Sequence, residues 1–311
     1  MNMNKKPLVS VLVPAFNHQK YVEEAVLSVI NQSYGYENIQ LIITDDCSSD
    51  KTVSILKELE SRYKFRLIIH SKNLGVSSTL NEMISIADGK YITSFASDDV
   101  MLLNRIEKQV KILEENNDID VLAGESILID ENSKVIGNIT TNSTDSLASF
   151  TFEDIFLLKW SGFAAGSVII KKELFERIGA YDPDIKVEDY YFWLKSTYNK
   201  AKIVKCNSPF LYYRIHGNSI STDGKLLTNE VAKILKIYIS HPKYSVALKN
   251  HKIYNLSKMV FYSRYSVIKN LFNDPTLILS KKTLKILMML MLPAFILKKR
   301  FPENYYRNAS I

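Results

Sequence analysis

The chain has 311 residues, 46% of them hydrophobic and 23% charged, with a formal net charge of +7. That apolar share supplies a folded core for one large domain, or for a domain with an appendage. The two cysteines, Cys47 and Cys206, are too few for a disulfide framework and lack metal-ligand spacing. This excludes a disulfide-built scaffold and points to a reducing compartment.

The charge is unevenly spread. From Lys225 onward the sequence holds 16 Lys+Arg and 3 Asp+Glu, a net of +13, against −6 upstream. A basic tail on an acidic body implies that the tail meets an anionic surface. At the other end, Lys5 and Lys6 precede an apolar run that stops at Pro14 without a small-residue cleavage site. That run reads as a first buried strand rather than a signal peptide, which places the body in the cytoplasm.

In chain order, residues 8–13 read as a strand and 19–31 as a helix. A second strand covers 39–44, and a helix begins near Asp50, with Asp50 or Ser49 as its cap. Residues 66–70 form a third strand, 76–87 a helix, 90–95 a fourth strand and 104–115 a helix. Continuous apolar strands alternating with helices predict an α/β fold with a mostly parallel central sheet covered on both faces. Further on, 121–130, 168–170, 203–206 and 210–214 read as strands. A helix ends at Gly179, and the Ser/Thr/Asn-rich stretch 138–149 reads as a loop. From Leu226 the pattern turns helical. The expected domains are therefore a catalytic one over 1–222 and a basic helical extension over 223–311.

Ligands of such sheets bind beyond the carboxyl ends of the strands. No GxGxxG follows the first strand, which argues against a dinucleotide enzyme. Pro14 and Phe16 offer a flat apolar wall there instead. The second strand ends in Asp45 and Asp46, where a carboxylate can accept hydrogen bonds from a base or ribose. The fourth ends in Asp98 and Asp99, adjacent carboxylates that repel unless a cation lies near them. A hard divalent ion bridging to phosphate oxygens suits that pair. His18, His70, His241 and His251 read as surface or loop residues, and Cys47 as a passive thiol.

The runs VSVLVPAFN, IITDDCSSDKT and YITSFASDDVMLLNRIEKQV, followed by GSVIIKKELFERIGAYDPD, VEDYYFWLK and YYRIHGNSIS, together resemble family 2 glycosyltransferases of the GT-A fold, from about Pro7 to Ser221. The resemblance implies an inverting transfer of a sugar from a nucleotide-sugar donor, most readily UDP-linked. It implies that Pro14 and Phe16 border the base, Asp46 contacts it, and Asp98 holds the ribose or assists the metal. Asp99 would bind Mn²⁺ or Mg²⁺ as the metal-binding member of a DXD-type motif, Asp189 would be the catalytic base, and His216 would approach the diphosphate. Ala96 stands where many relatives carry a further Asp.

The implied acceptor is a glycan or lipid-linked oligosaccharide of a bacterial capsule, O-antigen or similar polysaccharide. Near the C-terminus, ILMMLMLPAFIL (residues 286–297) is flanked by lysines and an arginine. At twelve residues it is shorter than the roughly 20 needed to span a bilayer. It fits a peripheral contact with the cytoplasmic face of the inner membrane, or packing on the catalytic domain or a dimer contact. A nucleic-acid partner is not expected, for want of a recognisable motif. The alternatives are a nucleotide-sugar-binding protein without turnover and a nucleotidyltransferase, the latter disfavoured by the missing Gly-rich turn.

Overall fold

The computed structural model describes residues 5–136, 147–159, 162–216, 224–261, 263–278, 281–293 and 296. Residues 138–146 of the expected loop, and 297–311 of the tail, lie outside them. Two compact units are present: Met1–Phe152 with Ser161–Arg214, and Glu153–Trp160 with Ile215–Ile311.

The first unit is built on a nine-stranded sheet. Its strands are β1 (Val9–Ala15), β2 (Ile39–Asp45), β3 (Arg66–Ile69), β4 (Tyr91–Ser94), β5 (Val100–Met101), β6 (Val121–Ile129), β7 (Leu147–Phe150), β8 (Ile169–Lys171) and β9 (Ile203–Arg214). The order is β3-β2-β1-β4-β8-β6-β9-β5, with β7 also on β9. The first four strands are mutually parallel, as their long crossovers require. β8 enters antiparallel between β4 and β6, while β6 and β9 run parallel.

β1 is buried on both faces, with Val9, Val11, Val13 and Leu12 all inaccessible. The crossovers supply α1 (Val22–Ile30), α2 (Thr52–Arg62) and α3 (Val76–Ser85), and α4 (Arg105–Glu115) follows β5. α4 turns Ile106, Val110 and Leu113 inward at helical spacing. Later come α6 (Lys172–Ile178), which stops at Gly179, and α7 (Glu188–Tyr198), while α5 (Phe152–Phe156) runs from this unit into the second.

The two strands expected over 203–206 and 210–214 are one strand with a bulge. Lys205 pairs Ala123, but Pro209 pairs Glu125 and Leu211 pairs Ser126. Pro209 cannot donate to the ladder, so the interruption falls where a missing N–H costs least. Opposite it stands Gly124, where a Cβ would lie 2.3 Å from the Phe210 ring. The end of the expected loop, 147–149, belongs to β7.

The second unit is helical: α8 (Gly224–Lys236), α9 (Tyr244–Met259), α10 (Arg264–Asn273) and α11 (Lys281–Met291). Ile253, Leu256, Val267, Leu271, Ile286 and Met289 are among the residues of its own core. The segment 153–160 joins this unit. Lys243 pairs with Glu153, and Asn250 Nδ2 donates to the Leu157 carbonyl at 2.8 Å. His251 is buried there, not on the surface, and burial pulls it down to about 4. Among the described residues, no helix is long and apolar enough to cross a membrane.

Candidate active site

The carboxyl ends of β1, β2 and β4 are tied together by side chains in the loops that follow them. Asn17 adopts a left-handed conformation (φ +55°), and its Oδ1 accepts from the Ser49 amide at 2.8 Å. Cys47 is left-handed too, at φ +69°. Such backbone is sparsely populated and persists where surrounding bonds enforce it. Asp45 supplies one such bond by accepting from the Ser48 amide at 2.8 Å. The cap of α2 is Lys51 rather than the expected Asp50 or Ser49, and Asp50, one residue earlier, accepts from the Thr52 amide at 2.9 Å. His18 reaches from the β1 loop to the β4 loop, with Nδ1 2.7 Å from Ser97 Oγ and Nε2 3.8 Å from Asp98 Oδ2.

Asp46 is buried, and its carboxylate is heavily engaged. It accepts from the Leu74 amide at 2.8 Å, the Gly75 amide at 2.9 Å and His70 Nδ1 at 2.8 Å. His70 Nε2 lies 2.7 Å from Glu82. Both ring nitrogens thus face carboxylates, and only the protonated ring can donate to both. Burial alone would lower the His70 pKa, but the bonds to Asp46 and Glu82 outweigh it and raise it.

Asp98 and Asp99 occupy the turn between β4 and β5, and both are buried. Two buried arginines surround them. Arg214 donates its amide to Asp99 Oδ1 at 2.9 Å and its Nε to the Asp98 carbonyl at 2.7 Å. Its guanidinium also reaches the Asp130 carbonyl at 3.1 Å and Glu24 at 2.6 Å, and lies 4.7 Å from the Tyr21 ring centroid. Arg105 donates to Thr93 Oγ1 at 2.6 Å and to Gln109 at 3.0 Å. Burial lowers Arg105 to about 9, partly offset by Asp99, so it stays cationic at neutral pH. Burial first, and then the Asp98 charge, raise Asp99 well above the usual carboxylate range despite Arg214 and Arg105.

Asp189 stands in the first turn of α7, and its Oδ1 accepts from the Tyr190 amide at 2.6 Å. Beneath that turn Phe192 stacks on Phe175 at 5.0 Å and meets Tyr181 at 5.1 Å, and Trp193 meets Phe163 at 5.2 Å. Burial raises both Glu188, to about 8, and Asp189, and the two charges are adjacent. The segment leading into α7 is fastened to α3. Ser77 Oγ donates to the Ile185 carbonyl at 2.7 Å, and Asn81 Nδ2 to the Tyr181 carbonyl at 2.8 Å. Asp46 holds the two residues that lead into α3, Leu74 and Gly75, by their amides.

Residues 10–179 match the sequence profile of glycosyl transferase family 2. The chain belongs to that family. An uncharacterised glycosyltransferase of Methanocaldococcus jannaschii is 30% identical over 214 residues, 68% of this chain and 71% of that one. The Escherichia coli enzyme WfgD, a UDP-Glc:α-D-GlcNAc-diphosphoundecaprenol β-1,3-glucosyltransferase, is 26% identical over 82% of this chain and 96% of its own. Among solved structures, Staphylococcus aureus TarS residues 1–349 superpose with a TM-score of 0.62 at 16% identity, covering 96% of this chain and 89% of that one. At that identity the likeness speaks for the fold alone, which is GT-A.

In this glycosyltransferase the first unit brings Pro14, Phe16, Asp46, Asp98 and Asp99 to one end of the sheet. Phe16 is exposed. Asp189 lies beyond the profile match, on α7 of the same unit. His216 lies two residues past β9, at the start of the second unit, and is half-buried.

Four residues of the site escape a reading of the sequence for function. Arg214 and Arg105 resemble surface cations, although Arg105 shares the inward stripe of α4 with Gln109. A cation on an apolar stripe is the signal that could have found it. His18 and His70 read as surface or loop residues and do lie in loops, where each also ties two strand-end loops together.

The acidic pair fits a divalent cation. Its donors are hard carboxylate oxygens, and desolvation together with their mutual repulsion disfavours the charge they carry. Gly166 leaves room beside Asp99, since a Cβ there would stand 3.4 Å from Oδ2 and 2.8 Å from Leu211.

Proposed function

We propose that the protein is an inverting, metal-dependent glycosyltransferase. It transfers a sugar from a UDP-linked donor to a hydroxyl of a glycan or lipid-linked oligosaccharide acceptor, in bacterial surface-polysaccharide synthesis. The observation that carries this reading is the buried Asp98–Asp99 pair at the carboxyl end of β4, held by hydrogen bonds from Arg214. Supporting it, TarS has been crystallised with UDP-GlcNAc, and the Pyrobaculum calidifontis mannosyltransferase PcManGT, of TM-score 0.59 and 15% identity, with GDP-Man and Mn²⁺. The Bacillus subtilis relative TuaG bears the description of a putative teichuronic acid biosynthesis glycosyltransferase, and WfgD acts on a diphosphoundecaprenol-linked acceptor.

In this reading Pro14 and Phe16 flank the nucleobase. Asp46 contacts that base, its carboxylate held in place by the Leu74 and Gly75 amides. Asp98 faces the ribose, and Asp99, with Asp98 beside it, holds Mn²⁺ or Mg²⁺. A divalent cation there offsets the charge that grows on a departing nucleoside diphosphate. His216 approaches that diphosphate.

Asp189 takes the proton of the acceptor hydroxyl. The hydroxyl oxygen attacks C1 from the face opposite the leaving group, so one displacement inverts the anomeric centre. The aromatic bed under α7 keeps Asp189 partly desolvated, which raises its basicity toward working pH. The catalytic domain spans 1–222. The basic extension, 223–311, serves the acceptor side at the cytoplasmic face of the membrane.

The test is a panel of nucleotide sugars incubated with Mn²⁺ and followed for release of nucleoside diphosphate. Turnover of a UDP-sugar that is lost on chelation supports the reading. Turnover unaffected by chelation, or none with any donor, rejects it.

A further inference from the structure

The second unit carries an excess of uncovered apolar side chains. Among the described residues it exposes 11 large hydrophobic residues, against 7 in the much larger first unit. A monomer's surface normally scatters such residues singly, and a contiguous set marks an interaction face.

Here they are ordered. On α10 the exposed set is Tyr265, Ile268 and Phe272, spaced three and four apart. On α11 it is Leu284, Met288 and Met291, spaced four and three. Each set is one stripe of an amphipathic helix. The opposite stripes, Val267 and Leu271 on α10 and Ile286 and Met289 on α11, fill the unit's own core. Ile286 and Met289 belong to the apolar run 286–297, so part of that run is committed inward.

Arg264 donates to the Leu290 carbonyl at 3.3 Å and also to that of Leu292. It thereby brings the start of α10 beside the end of α11, so that Tyr265 (76% exposed) and Met291 (85% exposed) share one end of the unit.

The charge around the stripes selects the partner. Lys269, Lys282 and Lys285 are exposed on the same two helices, and neither helix carries an acidic residue. Asp274, just past α10, is paired with Lys252 at 2.8 Å. Aliphatic, thioether and aromatic side chains bordered by lysines alone complement an anionic lipid surface. There the apolar stripe enters the acyl boundary and the ammonium groups meet headgroup phosphates. A second copy of this basic unit would set like charges against each other.

We propose that the outward stripes of α10 and α11 form one docking face for an anionic phospholipid membrane. The stripes share no residue with the proposed donor site. The proposal rests on the reading of a lipid-linked acceptor only for its purpose, not for its geometry.

The experiment is flotation of the full chain with vesicles containing about a third phosphatidylglycerol, compared with vesicles of phosphatidylcholine alone. Phe272→Ser, Met288→Ser and the double variant are tested beside Leu103→Ser, which removes an equally exposed leucine from the first unit. Circular dichroism and UDP-sugar hydrolysis in solution are read on the same preparations. The parent and Leu103→Ser should float with anionic vesicles, and the double variant should float at least about tenfold less while keeping its hydrolysis. Equal flotation of the double variant, or equal binding to neutral vesicles, overturns the proposal. A parent that stays off the vesicles but sediments as a dimer split by the same substitutions assigns the face to a second copy and also overturns it. Loss of hydrolysis in the parent would count against the glycosyltransferase reading and leave the flotation result standing.

Discussion

The main-chain amide of Arg214 donates to Asp99 Oδ1 at 2.9 Å across 115 residues of chain. The same residue's side chain holds the Asp98 carbonyl. The acidic turn is therefore fixed by both backbone and guanidinium of one residue at the end of β9.

Replacing Arg214 with Met should cost about 3–5 kcal/mol of stability, because it strips bonds from the Asp98 and Asp130 carbonyls and removes the buried cation beside the buried Asp99 carboxylate. Arg214→Lys should fall between, since an ammonium keeps the charge but not the planar fork. Urea unfolding measures both. A Met variant within about 0.5 kcal/mol of the parent would remove Arg214 as the brace.

Asp99→Asn keeps the shape of the turn and removes the charge. Manganese-dependent binding of UDP should weaken by about 10²-fold or more, while the fold survives. Calorimetric titration of UDP with and without Mn²⁺ is the check, and unchanged metal dependence would reject Asp99 as the anchor.

Asp189→Asn should retain donor binding and lose transfer by about 10²–10⁴-fold. Because burial raises Glu188, to about 8, and raises Asp189 as well, transfer should climb with pH well above the ordinary carboxylate range. Glu188→Gln removes the neighbouring charge and should move that limb to lower pH. The stability sign runs the other way. The folded state keeps a proton that the unfolded chain has released, so stability falls as pH rises from about 4.5 through the folded value. Glu188→Gln should accordingly melt higher than the parent at pH 8. A pH–rate profile and melting curves on the two variants decide both points.

His70 has a raised folded pKa. Its contribution is fully present below the ordinary value of about 6.5 and is lost as pH rises through the folded one. His70→Gln should cost about 1 kcal/mol at pH 6, with the gap to the parent narrowing as pH increases. Unfolding midpoints from pH 6 to 9 would show this, and a gap that does not change with pH would mean that the ring is not the charged bridge.

Much of the first unit is legible from residue order. Runs such as Val9 to Val13 and Ile39 to Ile43 can only be buried strands, and Asp46, Asp98 and Asp99 stand where such strands must end. Less legible are contacts that depend on where distant segments meet. Pro209 reads as a break between two strands, but the parallel partner β6 carries β9 past it as a bulge. Arg105 and Arg214 look like solvent-facing cations because nothing local announces that Thr93, Asp98 and Asp130 will surround them. The helices after Leu226 are evident, yet which stripe of each faces inward is set by α9, which covers Val267 and Ile286 and leaves Phe272 and Met288 outside.

The bulged strand that ends at Arg214 has a consequence for synthesis of the chain. The acidic turn leaves the ribosome more than a hundred residues ahead of the strand that completes it, so an unfinished polypeptide displays its carboxylates without their brace. On the role proposed for that turn, nucleotide capture would wait until β9 inserts, and ligand occupancy would then report that assembly of the first unit is complete.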